Sequence, residues 1–390
     1  MIQTRSAVAA AAVLALCWLA ALVPGVPAAA EDGVYEVRGV AVDVTADTAA
    51  AARAQALARG EQEAFRRLLQ RLTMSQDHPS LPALTRAEVE PYLQDFSVAE
   101  EKSSSVRYLA SLDYRFKRDR VRQLLIDHGL LFAETPSKPL LVLPVLESTG
   151  GDTTAEAGRD PTRPMLLWDD PNPWRQAWGL LPRDPGLVPL MLPDGDLDDI
   201  AAISAEQAVD GDVARLAAIG ERYGAGVVLV AYAALNRGGA AGAGARLEVY
   251  ITRYGTVEPG HTETLTFDEE PDEGADALLA RAARAIARGV EDDWKRNNVV
   301  QAGAPSVLAV TIPITSLADW ITVRGTLARV PILRKVDLVL LARDRARVNL
   351  HYQGQLDQLT VALEQIDLTL SPEGDRWVLT PRARAGGDES

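Results

Sequence analysis

Cysteine is almost missing from this chain. Its 390 residues hold one, Cys17, inside an apolar N-terminal run. The chain after residue 30 therefore carries no thiol. That excludes structural disulfides, thiolate zinc sites, iron–sulfur clusters and cysteine nucleophiles together, and it suits an oxidising compartment, where nothing can mispair. Histidine is scarce too. His78, His128, His261 and His351 are the four present, and none stands in H-E-x-x-H or H-x-x-x-H spacing. The G-x-S-x-G elbow and the G-x-x-x-x-G-K-[ST] phosphate loop are absent, so no cofactor and no metal are expected. Positive charge is in deficit, with a formal net charge of −14. Such a balance repels phosphate backbones, so nucleic acid is not an expected partner.

The first thirty residues read as an export signal. Arg5 supplies the positive end, residues 7–23 are apolar, and Pro24, Gly25 and Pro27 break the run. Ala28-Ala29-Ala30 fits a small-x-small cleavage site, so cleavage after Ala30 is expected and Glu31-Asp32 opens the mature chain. The apolar run is shorter than the ~20 residues of a comfortable span, which argues against a retained anchor. Leu16 before Cys17 is too large for acylation of that cysteine. The expectation is a periplasmic protein with no integral membrane span once the signal is removed.

Hydrophobic periodicity divides the rest into three small α/β units, an α+β fold class. Residues 31–136 read β-α-β-β-α. Alternation over residues 34–45 marks a strand, and Ala54, Leu57, Phe65, Leu68, Leu69 and Leu72 recur at helical spacing. Residues 137–300 read as an α/β domain with a long Trp/Pro-rich insertion, opened by the doubly apolar strand 140–146. Residues 301–384 read β-α-β-β-α-β, the ferredoxin-like order, with residues 377–380 as the last strand and 385–390 as a tail.

Each cluster that tempts a chemical reading has an ordinary competitor. Residues 238–244 are glycine-rich, but they lie between two predicted strands, where no helix N-terminus would face a phosphate. Asp194-Gly195-Asp196-Leu197-Asp198-Asp199 begins like a calcium loop. The glycine and glutamate required at its sixth and twelfth positions are Asp199 and Ala205, so acids complementing a helix dipole explain it as well. Arg334, Lys335, Arg343, Arg345 and Arg347 give the last hairpin a basic face, diluted by Asp337 and Asp344. The least ordinary segment is 165–181, which holds Trp168, Trp174 and Trp178 and ends in Leu180 and Leu181. Trp174 and Trp178 are four apart and share a helix face. They either plug the middle domain's core or, with Trp168, Leu180 and Leu181, form a partner-binding surface, since Trp is a favoured interface anchor.

Tyr35-Glu36-Val37, the helix Ala54-Gln55-Ala56-Leu57-Ala58 through Phe65-Arg66-Arg67-Leu68-Leu69-Gln70-Arg71-Leu72-Thr73, and the strand at 106–116 resemble the proteobacterial exported family known as domain of unknown function 2066. Met74 stands where that family often has glycine. The resemblance implies an exported protein with an α/β opening unit and no assigned reaction. Residues 140–147 and the helix–glycine–strand step at 214–230 are similar to the CsgG and TolB amino-terminal domains, which are envelope assembly and secretion modules. Together these point to a non-enzymatic binding or scaffold protein of the cell envelope with an envelope protein partner. The alternative is an exported hydrolase whose Ser, His or carboxylate site has no sequence signature.

Overall fold

The computed structural model describes residues 33–149, 165–182, 186–236, 244–255, 259–300, 306–374 and 376–382. The expected export signal with Cys17, residues 150–164, nearly all of the glycine-rich stretch and the tail lie outside the described residues. The fold class is α+β, built on three separate sheets.

The first sheet belongs to β1 (Glu36–Thr45), α1 (Ala49–Leu72), α2 (Arg86–Val89), β2 (Leu93–Ser103), β3 (Arg107–Phe116) and α3 (Arg118–Asp127). Its order is β1-β3-β2, antiparallel throughout. The alternation in β1 buries Val40, Val42 and Val44 beneath the stripe of α1, where Ala56, Phe65 and Leu68 are also buried. Thr48 caps α1 by accepting from the Ala51 amide at 3.1 Å. Gly60 lets the helix approach the sheet, since a Cβ there would stand 2.6 Å from the Tyr114 hydroxyl. Gly129, at φ +66, ends α3 in the left-handed conformation that favours glycine.

The middle sheet is formed by β4 (Leu140–Thr149), β5 (Met165–Leu166), β6 (Leu190–Met191), β7 (Val227–Asn236), β8 (Arg246–Gly255) and β9 (Pro259–Asp268). Its order is β5-β4-β7-β8-β9, with β6 also paired to β4. β4 and β7 are parallel, and β7, β8 and β9 form an antiparallel meander. The long connection from β4 to β7 carries α4 (Pro173–Gly179), α5 (Leu197–Ala202), α6 (Ala205–Val209) and α7 (Val213–Arg222); α8 (Gly274–Asn297) follows β9. One sheet face packs on α4 and α8, the other on α6 and α7. Being covered on both faces is why β4 reads as an unbroken apolar run. Asn236 pairs with Arg246, so the glycine-rich stretch joins two antiparallel partners.

The third sheet uses β10 (Ser306–Pro313), α9 (Leu317–Leu327), β11 (Leu333–Leu341), β12 (Arg345–Tyr352), α10 (Leu356–Glu364), β13 (Leu368–Glu373) and β14 (Arg376–Pro381). The order is β11-β12-β10-β14-β13. Where one final strand was expected, a hairpin stands: β13 takes the edge and β14 fills the slot parallel to β10. The opening β-α-β-β-α with β12 between β10 and β11 repeats the topology of the first unit. No helix among the described residues is long and apolar enough to cross a membrane.

The start of α9 has a measurable electrostatic signature. Asp319 accepts from the Thr315 amide at 2.8 Å, the Thr315 hydroxyl at 2.7 Å and the Ser316 amide at 2.9 Å. These bonds, Thr315 foremost, lower its carboxyl from 3.8 to about 2. A depressed folded value means the cap stabilises fully above the unfolded value and is lost as pH falls from 3.8 toward about 2. An NMR titration of the Asp319 carboxyl is expected to have its midpoint near 2, and Asp319→Asn should flatten the acid loss of stability in that window. A midpoint near 3.8 would contradict the cap.

Candidate functional site

The structure places the tryptophan segment mostly inside the middle domain. Asn172 caps α4, accepting from the Trp174 and Arg175 amides at 3.0 Å, and donates to the Leu166 carbonyl at 3.2 Å. This fixes the helix against the sheet face shared with α8. Trp174 is 0% exposed and Trp178 3%, with ring centroids 5.6 Å apart in an edge-on arrangement. The Trp174 indole donates to the Ala231 carbonyl at 2.9 Å, and that of Trp168 to the Ile203 carbonyl at 2.7 Å. The expectation of a tryptophan-built docking surface is therefore corrected. The sheet face beside α8 needs an apolar cover, and Trp174 and Trp178 provide it. Leu181 is half-buried against the same core, while Leu180, at 73%, is the exposed member of the five.

Two other clusters prove to be structural. Arg222, at the end of α7, lies 2.5 Å from Asp196, 3.0 Å from Asp198 and 3.1 Å from Asp199. Asp196 also caps α5 by accepting from the Asp199 amide at 2.9 Å. The calcium-like acids thus already have a cation and a helix end. On the basic hairpin Arg334 pairs with Asp119 at 2.8 Å and Lys335 with Asp337 at 2.7 Å, which removes much of its free positive charge.

A cleft of about 920 Å³ lies between the first and middle units. One wall is the polar side of α1, where Glu63, Arg67, Gln70 and Arg71 follow helical spacing, continued by Ser75 and His78. The other is a face of α8 carrying Arg284, Arg288, Glu291, Asp292 and Lys295. The floor is apolar and includes Val142, Trp178, Val188, Leu190 and Leu192. Trp178 and Leu181 therefore belong to the cleft from its core side, whereas Trp168 and Trp174 do not line it.

Buried polar contacts tie the two walls together. Lys295 is 5% exposed, and its ammonium donates to the carbonyls of Thr73 at 2.9 Å and Gln70 at 3.1 Å, with Glu291 at 3.7 Å. Burial pulls its pKa below the ordinary lysine value, while Glu291 and Asp292 oppose that shift. Asp292 accepts from the Ser75 amide at 2.8 Å and from the Ser75 hydroxyl, and Glu291 accepts from the Val188 amide at 2.9 Å. Trp294 donates to the Thr135 carbonyl at 2.7 Å.

Ser75, His78 and Asp292 share this cleft, but no hydrogen bond joins Ser75 to His78 among the described residues. The Ser75 hydroxyl gives its hydrogen bond to Asp292. His78 Nε2 lies 3.2 Å from the Gln70 carbonyl, which can only accept, so that nitrogen holds the proton. Arg67 pairs with Glu63 at 2.8 Å, and Arg71 donates to the Val34 and Glu36 carbonyls at 2.8 and 2.6 Å. Arg284 and Arg288 are exposed one helical turn apart, and neither has a hydrogen bond or ion pair among the described residues. No protein-family model matches the chain, and no curated protein matches it.

Sequence reasoning missed the cleft because its charged lining lies on the polar sides of two amphipathic helices, where charge reads as a solvated face. The available signal was Lys295, one of only five lysines, close behind three consecutive acids, Glu291, Asp292 and Asp293, in the last turns of α8. The core role of the tryptophans has a direct test. Trp174→Ala and Trp178→Ala should each destabilise the middle unit by roughly 3–5 kcal/mol, read as a large fall in melting temperature. A double variant melting with the wild type would return both residues to the surface.

Proposed function

We propose that the chain is an exported, non-enzymatic binding or scaffold protein of the cell envelope, periplasmic after cleavage behind Ala30, and that it holds what it binds in the cleft between α1 and α8. The carrying observation is the uneven commitment of the cleft's polar groups. Lys295, Asp292, Glu291, Arg67 and Arg71 hold structure together, whereas Arg284 and Arg288 make no hydrogen bond or ion pair among the described residues. The reading draws further support from the N-terminal signal pattern, from the resemblance to the exported family of domain of unknown function 2066, and from the similarity of the middle unit's helix–glycine–strand step to the CsgG and TolB amino-terminal domains. An envelope protein partner belongs to the same proposal.

A second reading keeps the exported hydrolase in play, because Ser75, His78 and Asp292 line one cleft. Apo active sites can hold their hydrogen bonds in unproductive patterns. The two readings separate in a turnover screen of the chain beginning at Glu31 on ester, phosphoester and peptide substrates, beside Ser75→Ala and His78→Ala. The binding reading expects no turnover that depends on either residue. A specific hydrolytic activity abolished by Ser75→Ala would overturn it in favour of the hydrolase.

A further inference from the structure

We infer that the cleft takes a single-chain amphiphile with an anionic head group, as a monomer withdrawn from bulk lipid. This inference rests on the cleft being the binding site. Its first support is charge. In a chain of net charge −14, the cleft gathers the cations Arg67, Arg71, Arg284, Arg288 and Lys295 against the carboxylates Glu63, Glu291 and Asp292. Each of those carboxylates already has a partner: Arg67 for Glu63, Lys295 and the Val188 amide for Glu291, and Ser75 for Asp292. The excess is positive, and it falls on Arg284 and Arg288.

Those two arginines stand four residues apart on one face of α8, and neither has a hydrogen bond or ion pair among the described residues, although the charge of Arg284 reaches Glu273 at the start of the helix. Like charges at that spacing weaken a helix slightly. An anion between them would convert the repulsion into two charge-assisted forks, the geometry in which guanidinium recognises carboxylate or phosphate. The head-group chemistry is therefore an oxyanion.

The rest of the ligand follows from the floor. Val142, Val188, Leu190, Leu192, Trp178 and Leu181 line the same cleft as the arginines. A small anion alone would leave this surface wet, and a neutral apolar molecule would leave the arginines unpaired. A chain of methylenes gains about 0.8 kcal/mol for each one buried. At about 920 Å³ the cleft lies within the range of small-molecule sites, roughly 300–1,000 Å³.

The test is calorimetric titration of the delipidated chain beginning at Glu31 with dodecanoate and dodecyl phosphate, both below their micelle concentrations. Saturable binding at one per chain is expected. Acetate, inorganic phosphate and dodecyltrimethylammonium should show none. Arg284→Gln with Arg288→Gln should weaken binding at least tenfold with an unchanged melting temperature, because both side chains are exposed. Leu190→Glu should abolish it from the floor side. The inference is overturned if neither amphiphile binds, if the arginine double variant binds as wild type does, or if the protein binds vesicles of anionic phospholipid but no monomer. None of those results touches the non-enzymatic reading, which falls to a turnover that depends on Ser75 or His78.

Discussion

The ammonium of Lys295 sits where a charge is expensive to place, and the relation between the first two units depends on how it is accommodated. Removing a cation from water costs several kcal/mol unless oriented dipoles replace the solvent. Here the replacements are the Thr73 and Gln70 carbonyls at the end of α1, where the helix dipole favours positive charge. Glu291, one turn earlier on α8, adds a carboxylate at 3.7 Å. Two helices from different units thus end on one another. The Ser75–Asp292 and Trp294–Thr135 hydrogen bonds reinforce the junction. The cleft is the space left between two helices joined at their C-terminal ends.

A second buried polar group joins the third unit to the first. Arg122 forms a two-pronged contact with Glu134, which is fully buried, and Tyr35 donates to the same carboxylate at 2.7 Å. Burial, then the charge of Glu134, pushes the Tyr35 phenol well above its ordinary value, so it remains a donor. Arg122 also reaches the Pro331 carbonyl of the third unit at 3.1 Å. Lys138 contributes to the other side, pairing with Asp367 at 2.5 Å. Each junction uses a charged group whose partner lies on another unit. Loss of Glu134 would leave the buried Arg122 charge uncompensated.

Much of the fold was legible because burial imposes a period. β1 alternates, α1 and α8 carry apolar stripes, and β4 is apolar on both sides, and each became the expected element. What stayed hidden had too little pattern to read. β5 and β6 are two residues each. β13 follows closely on α10 and contains Pro372, which is tolerated because β13 is the edge strand. The tryptophans show a deeper ambiguity. Trp174 and Trp178 four apart make the same sequence pattern whether the helix faces a partner or its own sheet. Only the position of α4 beside α8 decides. The cleft was still less visible, since ionic pairing across units leaves no local periodicity. Arg284 and Arg288 look like any other solvated helix positions until α1 is set opposite them.

The central claim is that Lys295 holds the ends of α1 and α8 together and so shapes the cleft. Native-state hydrogen exchange on Lys295→Met tests it most directly, because a buried charge and its carbonyl partners are removed from each other with little change in side-chain volume. The account predicts that protection in the last turns of α1 and α8 falls together, at least tenfold, while β11 and β12 exchange as in the wild type. Wild-type protection at the end of α1 in that variant would contradict the account.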